Sequence, residues 1–272
     1  MAIVTISREF GSIGKEIGQM LAASLGYEYI DREKIMNDVK SIGGNQWEEL
    51  GEEFDEHYPN VWDRHDWYFQ GFIALTQSIL LDHALKDKVV LWGRGGNFLL
   101  KGIAYALRVR VVMAKEARIE RVMKDQDISR NTARWLVEKV DQERARLAHF
   151  IYGKHWDDPA EYDLILNLDS QKPEDFITTI VTALTEKQNK YSKEAKKTLL
   201  LRAAAAKVKA GILTNSYFRI PILDADPAED GIVLRGVIHN PKEQKRLEEE
   251  AKKLAGDVPI KFELHYRGLI RS

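Results

Sequence analysis

The sequence predicts an α/β protein, a doubly wound five-stranded parallel sheet with a helical insertion and lid, followed by a small α+β C-terminal domain. Three observations lead there. Through roughly the first 170 residues, short apolar runs alternate with amphipathic segments, the order of βαβ units. Most of those runs end directly in Gly, Asp or Asn, residues that turn a chain into a helix or a ligand loop. Near Thr185 the character changes, first to a basic Ala/Leu-rich stretch and then to alternating apolar and polar residues.

The predicted sheet strands are Ala2 to Ile6, Tyr27 to Ile30, Lys88 to Trp92, Arg108 to Met113 and Asp163 to Leu168, each of strand length and rich in Val, Ile, Leu or Tyr. Between Asp31 and Lys86 the chain is too long for a simple crossover and reads as a helical insertion. Within it, Asn45 to His57 holds six acids and no Lys or Arg, a solvated face, and WDRHDWYFQGF reads as a packed aromatic helix. Glu186 to Ala210 carries eight Lys or Arg against two Glu and reads as a basic, solvated connecting helix, with docking on an anionic surface as the alternative. Strands follow at Tyr217 to Leu223 and Ile232 to Ile238. Asn240 caps a helix with Pro241 at its first position and Glu243 completing a capping box. Leu247, Ala251 and Leu254 share one face of that helix, Gly256 ends it, and Val258 to Tyr266 alternates as a half-buried strand. The expected domains are 1–185, a linker helix at 186–210, and 211–272.

Composition narrows the function. Forty-one Lys plus Arg against 42 Asp plus Glu leave a formal charge of -1, so no global field attracts nucleic acid or a membrane. The absence of Cys removes disulfides, thiolate nucleophiles and cysteine zinc sites, and agrees with a reducing compartment. No apolar run approaches the ~20 residues of a membrane span. The expectation is a soluble, cytoplasmic protein.

The segment ISREFGSIGKEIG, Ile6 to Gly18, carries the first candidate site. The first turn of a helix offers unpaired N–H groups and the positive end of its dipole, and glycines let those groups approach phosphate oxygens. Gly11, Ser12, Ile13 and Gly14 form such a loop after an apolar strand, with Lys15 as a point charge for the outer phosphates. The pattern G-x-x-x-x-G-K-[ST] would have Gly at Glu9 and a hydroxyl at Glu16. That hydroxyl ordinarily ligates magnesium, so Glu16 is the candidate metal ligand in its place. The alternative is a glycine-rich turn with Lys15 in solvent. Asp31 and Arg32 follow the second strand at the sheet's carboxyl end, where open α/β sheets bind ligands. In the helix from about Arg130 to Tyr152, Arg144 falls inside a stripe of Ala133, Leu136, Val137, Val140, Leu147, Ala148 and Ile151. A charge there needs a carboxylate, with Asp141 nearest in sequence, or a cleft that fills with phosphate. Arg146 points to the opposite side.

Several motifs in one order resemble the cytidylate kinase-like family of P-loop nucleotide kinases: ISREFGSIGKEI, GYEYIDRE from Gly26, VVLWGRGGNFLL from Val89, RVRVVMAKEARIERVM from Arg108, and the long segment from Ser129 to Asp169. Members share the departure at Glu16. The similarity runs from Ile3 to about Thr185 and implies a P-loop kinase that uses ATP and Mg2+ to phosphorylate a nucleoside monophosphate, CMP or dCMP by default. It further implies acceptor contacts from Asp31, Arg32, Gly93 and Arg94, a lid arginine at Arg144 acting with Lys15 and Arg94 on the transferring group, and Arg121 against the ATP base. Asp163 and Asn167 to Asp169 mark the fifth strand and the loop bordering the adenine. The C-terminal stretch resembles the BON module, which implies binding of a protein or anionic surface rather than catalysis. Two alternatives stay open: a non-catalytic nucleotide-binding module, and a kinase with another small acceptor.

Overall fold

A computed structural model describes residues 2–56, 66–168, 173–220, 222–239 and 241–266. Asp169, Asn240, His57 and the first residues of the aromatic segment, 62–65, lie outside them. The chain divides into two compact units, Met1–Arg32 with Lys86–Ala195, and Glu33–Leu85 with Lys196–Ser272.

The first unit is built on five parallel strands in the order β2-β3-β1-β4-β5. These are β1 (Ile3–Arg8), β2 (Glu28–Ile30), β3 (Val89–Trp92), β4 (Ala106–Val112) and β5 (Leu164–Asn167), the five runs predicted. Central β1 pairs in register with both neighbours, Ile6 opposite Trp92 on one side and Val109 on the other. A strand covered on both faces reads as continuous apolar sequence, and Ile3, Val4 and Ile6 are indeed fully buried. Helix α1 (Gly14–Leu25) follows β1 and stops at Gly26, whose left-handed backbone returns its N–H to the carbonyls of Ala22 and Ala23. Ile17 and Leu21 of α1 join Val4, Ile6, Val90, Trp92, Val109 and Val111 in the main core, with Phe176, Ile180 and Leu184 from α8 (Pro173–Gln188). A smaller core of Ile119, Val122, Ala133 and Val137 joins α6 (Lys115–Gln126) to α7 (Arg130–Tyr152), with Phe10 against it. α7 starts where Ser129 accepts from the Thr132 N–H at 3.2 Å and ends at left-handed Gly153. Short α5 (Gly96–Leu99) lies between β3 and β4.

The second unit contains the insertion, α2 (Arg32–Gly43) from Glu33 on, α3 (Asn45–Glu56) and α4 (Trp67–Leu85), and the chain from Lys196, near the start of α9 (Lys193–Leu213), onward. α9 corrects the solvated-linker reading. Leu199, Leu201, Ala203, Ala205, Val208, Ala210, Ile212 and Leu213 are buried, and the helix is part of this unit's core. Beyond it, β6 (Leu223–Ala228), β7 (Gly231–Ile238) and β8 (Ile260–Tyr266) form a sheet in that order, β6 antiparallel to β7 and β7 parallel to β8, with α10 (Pro241–Ala255) as the crossover. The strand predicted at Tyr217 to Leu223 instead begins at Leu223, after Pro221, which has no N–H to give a ladder. Glu243 reaches back to accept from the His239 N–H at 3.2 Å, and Leu247 and Ala251 are fully buried.

Candidate functional site

The loop between β1 and α1 is fixed by the residues that depart from the glycine-rich formula. The Glu9 carboxylate accepts from the Met113 N–H at 3.0 Å and faces Arg118 at 3.5 Å and Arg110 at 3.8 Å. The Phe10 N–H donates to Asp141 at 2.8 Å, and its carbonyl accepts from Arg118 at 3.0 Å. Arg118, with a side chain only 7% exposed, meets Asp141 at 2.6 Å. Glu9 thus ties the loop to the β4–α6 junction, and Asp141 ties it to α7. Gly11 follows at φ +78°, where an added Cβ would stand 2.7 Å from Val122, so both the backbone angle and the space require glycine.

α1 then opens with no described side chain capping its N-terminus, which leaves the first-turn N–H groups and the dipole's positive end for a ligand. Lys15 is exposed in that first turn. Glu16 is ion-paired with Arg121, which also meets Asp125 at 3.3 Å.

Arginines gather at the carboxyl end of β1 and β3. The Arg8 guanidinium lies 4.1 Å from the centre of the Trp92 ring and packs on Gly93, where a Cβ would be 2.6 Å from its Nη1. Gly93, Arg94 and Gly95 have φ of 69°, 55° and 77°, three left-handed residues in succession. Only Arg94 among them bears a side chain, at a conformational cost of roughly 1–2 kcal/mol, the kind of strain that collects at ligand sites. The Tyr152 hydroxyl of α7 donates to the Arg94 carbonyl at 3.3 Å, and Arg144 donates to the Arg8 carbonyl at 2.9 Å while its guanidinium lies 5.7 Å from the Phe10 ring centre. Burial, then Arg144 and Arg94, lower the Arg8 pKa to about 9, and the opposing pulls of Tyr29 and then Asp141 are weaker. At neutral pH the guanidinium therefore stays charged among like charges, an environment that favours an anion.

Tyr29, on β2, completes this end of the sheet. Its ring centre lies 6.2 Å from that of Trp92, and its hydroxyl is buried with no hydrogen-bond partner among the described residues. Burial, then the charge of Asp31, raises its pKa. Behind the strands, Trp156 donates to the Ser7 hydroxyl at 2.9 Å, and buried Arg110 donates to the Trp156 carbonyl at 2.7 Å and to the Tyr162 hydroxyl at 3.3 Å. This network pins the segment after α7 to β1 and β4.

Comparison with known proteins supplies the family. The model of the cytidylate kinase-like family matches residues 3–170. The chain belongs to the cytidylate kinase-like family. No curated protein matches it significantly. Among solved structures, an uncharacterized protein from Eubacterium ventriosum shares the fold at 20% identity and a TM-score of 0.54, covering 68% of this chain and 98% of that one. A shikimate kinase from Bacteroides thetaiotaomicron aligns at 14% identity and a TM-score of 0.42, covering 68% and 98%. No helix of the described residues is long and apolar enough to cross a membrane.

In this cytidylate kinase-like chain the structure gathers some expected residues and separates others. Gly11, Ser12, Ile13, Gly14, Lys15 and Glu16 form the loop and first turn, while Arg94 and Arg144 act electrostatically on one group, Arg8. Arg121 is turned to Glu16, and Asp141, the expected local partner of Arg144, binds Arg118 and the Phe10 N–H. Asp31 is half-buried, Arg32 is exposed at the start of α2, and Arg146 is exposed on α7. Sequence reasoning singled out neither Arg8, nor Tyr29, nor Trp92. The available signal was a charge ending the buried central strand, directly before the loop.

Proposed function

We propose that the protein is an ATP-dependent kinase transferring a phosphoryl group to a nucleoside monophosphate, with CMP or dCMP as the acceptor. The observation that carries this reading is an uncapped helix start beside a buried arginine, Arg8, whose charge is disfavoured by burial and then by Arg144 and Arg94. A polyanion would relieve both. Phosphoryl transfer asks little covalent chemistry of a protein; it requires alignment of donor and acceptor and compensation of charge.

In this reading the first-turn amides and Lys15 hold the donor phosphates of ATP. Arg94, its direction set by the left-handed backbone, orients the acceptor phosphate with Arg32, and Arg144 compensates charge on the transferring group. Magnesium bound to ATP supplies further charge compensation. Glu16 is the residue that would hold it, on release from Arg121. The test is a coupled assay with ATP, magnesium and a panel of nucleoside monophosphates. Lys15→Ala should lower turnover about a hundredfold or more with an unchanged circular-dichroism spectrum, and full activity in that variant refutes the assignment. The Glu16–Arg121 pair, standing where a metal-binding hydroxyl is usual, favours one second reading, a nucleotide-binding module without catalysis. ATP binding with no acceptor-dependent ADP formation would select it.

A further inference from the structure

The Tyr29 hydroxyl is a buried donor that no described group accepts from, and folded proteins rarely leave such a group unsatisfied. Ionisation offers no escape, because burial and Asp31 raise the phenol's pKa and keep the proton in place. The ring's seat is built at a cost. An added Cβ at Gly18, inside α1, would come within 3.0 Å of the Tyr29 ring, so the fold keeps a glycine in mid-helix, about 1 kcal/mol worse than alanine there, at the point where the ring lies. The same Trp92 that flanks this ring also carries the Arg8 guanidinium. In these states the phenol offers an O–H donor and the guanidinium N–H donors, and both stand at the carboxyl end of the sheet, where α/β folds take their ligands.

We propose that the Tyr29 hydroxyl and the Arg8 guanidinium together recognise an anionic oxygen of the acceptor, so that the acceptor enters by its phosphate. The inference rests on the kinase reading for the word acceptor, and it adds the chemistry of recognition: a phosphomonoester is distinguished from the corresponding nucleoside by this pair. Tyr29→Phe deletes the donor and keeps the ring on Gly18 and Trp92.

The experiment is calorimetric titration of the full chain and its Tyr29→Phe and Arg8→Lys variants with CMP, dCMP, cytidine, inorganic phosphate and ATP. Wild type is expected to bind a monophosphate more tightly than cytidine, with inorganic phosphate competing. Tyr29→Phe is expected to weaken monophosphate binding about tenfold or more, the value of a hydrogen bond to a charged group, with ATP affinity unchanged. Unaltered monophosphate affinity in Tyr29→Phe, an equal loss for ATP, or cytidine bound as tightly as CMP would overturn the proposal, as would wild type binding neither monophosphate nor phosphate. A protein that binds the monophosphate through Tyr29 yet transfers nothing from ATP would sink the kinase reading and leave this inference standing.

Discussion

Arg8 carries a charge that the fold does not reward. Its pKa is lowered, so the charged form is penalised in the folded state; that penalty is complete at neutral pH and is relieved only as pH rises through about 9. Near neutrality, only a bound anion or a substitution removes it. Arg8→Met, which keeps an apolar stem on Trp92, should therefore melt no lower than wild type without ligand. It should also lose most of the stabilisation by CMP, which for wild type amounts to ~2.7 kcal/mol at a hundredfold excess over Kd, while keeping that by ATP. Differential scanning fluorimetry without ligand, with CMP and with ATP reads all three. Glu16 and Arg121 form a second residue-level device: Arg121 neutralises a carboxylate that would otherwise repel phosphate. Arg121→Ala should weaken ATP about tenfold, and adding Glu16→Ser should recover most of that loss, since neighbours in one charge network are not additive. Equal ATP affinity in the single and double variants would contradict this. The loop itself was legible because strand, glycines, lysine and helix are all local. Arg8 was not, because its meaning comes from Arg94 and Arg144, far away in sequence.

Among the elements, α7 was the most legible. The helix read from about Arg130 to Tyr152 has those bounds, with Ser129 and Gly153 at its two caps. What its stripe could not reveal is that Asp141 leaves the helix to clamp the loop through Arg118 and the Phe10 N–H. Asp141→Asn should cost about 2 kcal/mol, within the range for hydrogen bonds to charged groups, seen as a lower urea midpoint with an unchanged slope. α9 was misread for a physical reason. Its lysines stand at many angles around an Ala/Leu helix, so composition suggested solvent on all sides. In the folded chain, however, Lys196 reaches the Leu85 carbonyl, and Lys197 and Lys209 meet Asp230 and Asp224. Charged heads at the rim left the stems and the leucines free to pack.

At the scale of the molecule, two cores without shared residues predict two unfolding transitions, which scanning calorimetry would resolve. Leu247→Ala, at a fully buried position of the second core, should lower one of them by ~2–5 kcal/mol, while ATP should raise the other. A single transition moved by both would refute this. Sequence order foretold the sheet, because each βαβ step is written in consecutive residues. It could not foretell that residues 33–85 and 196–272 build one unit, since nothing local in either stretch names the other.

That discontinuity sets a schedule for biosynthesis. α4, apolar around most of its circumference, leaves the ribosome well before α9 and the small sheet exist. With 181 residues from Leu85 to Tyr266 still to be translated before the small sheet is complete, it waits on the order of ten seconds or more, a sticky segment without its mates. Nascent chains of this protein should therefore depend on chaperone shelter until β8 has been made.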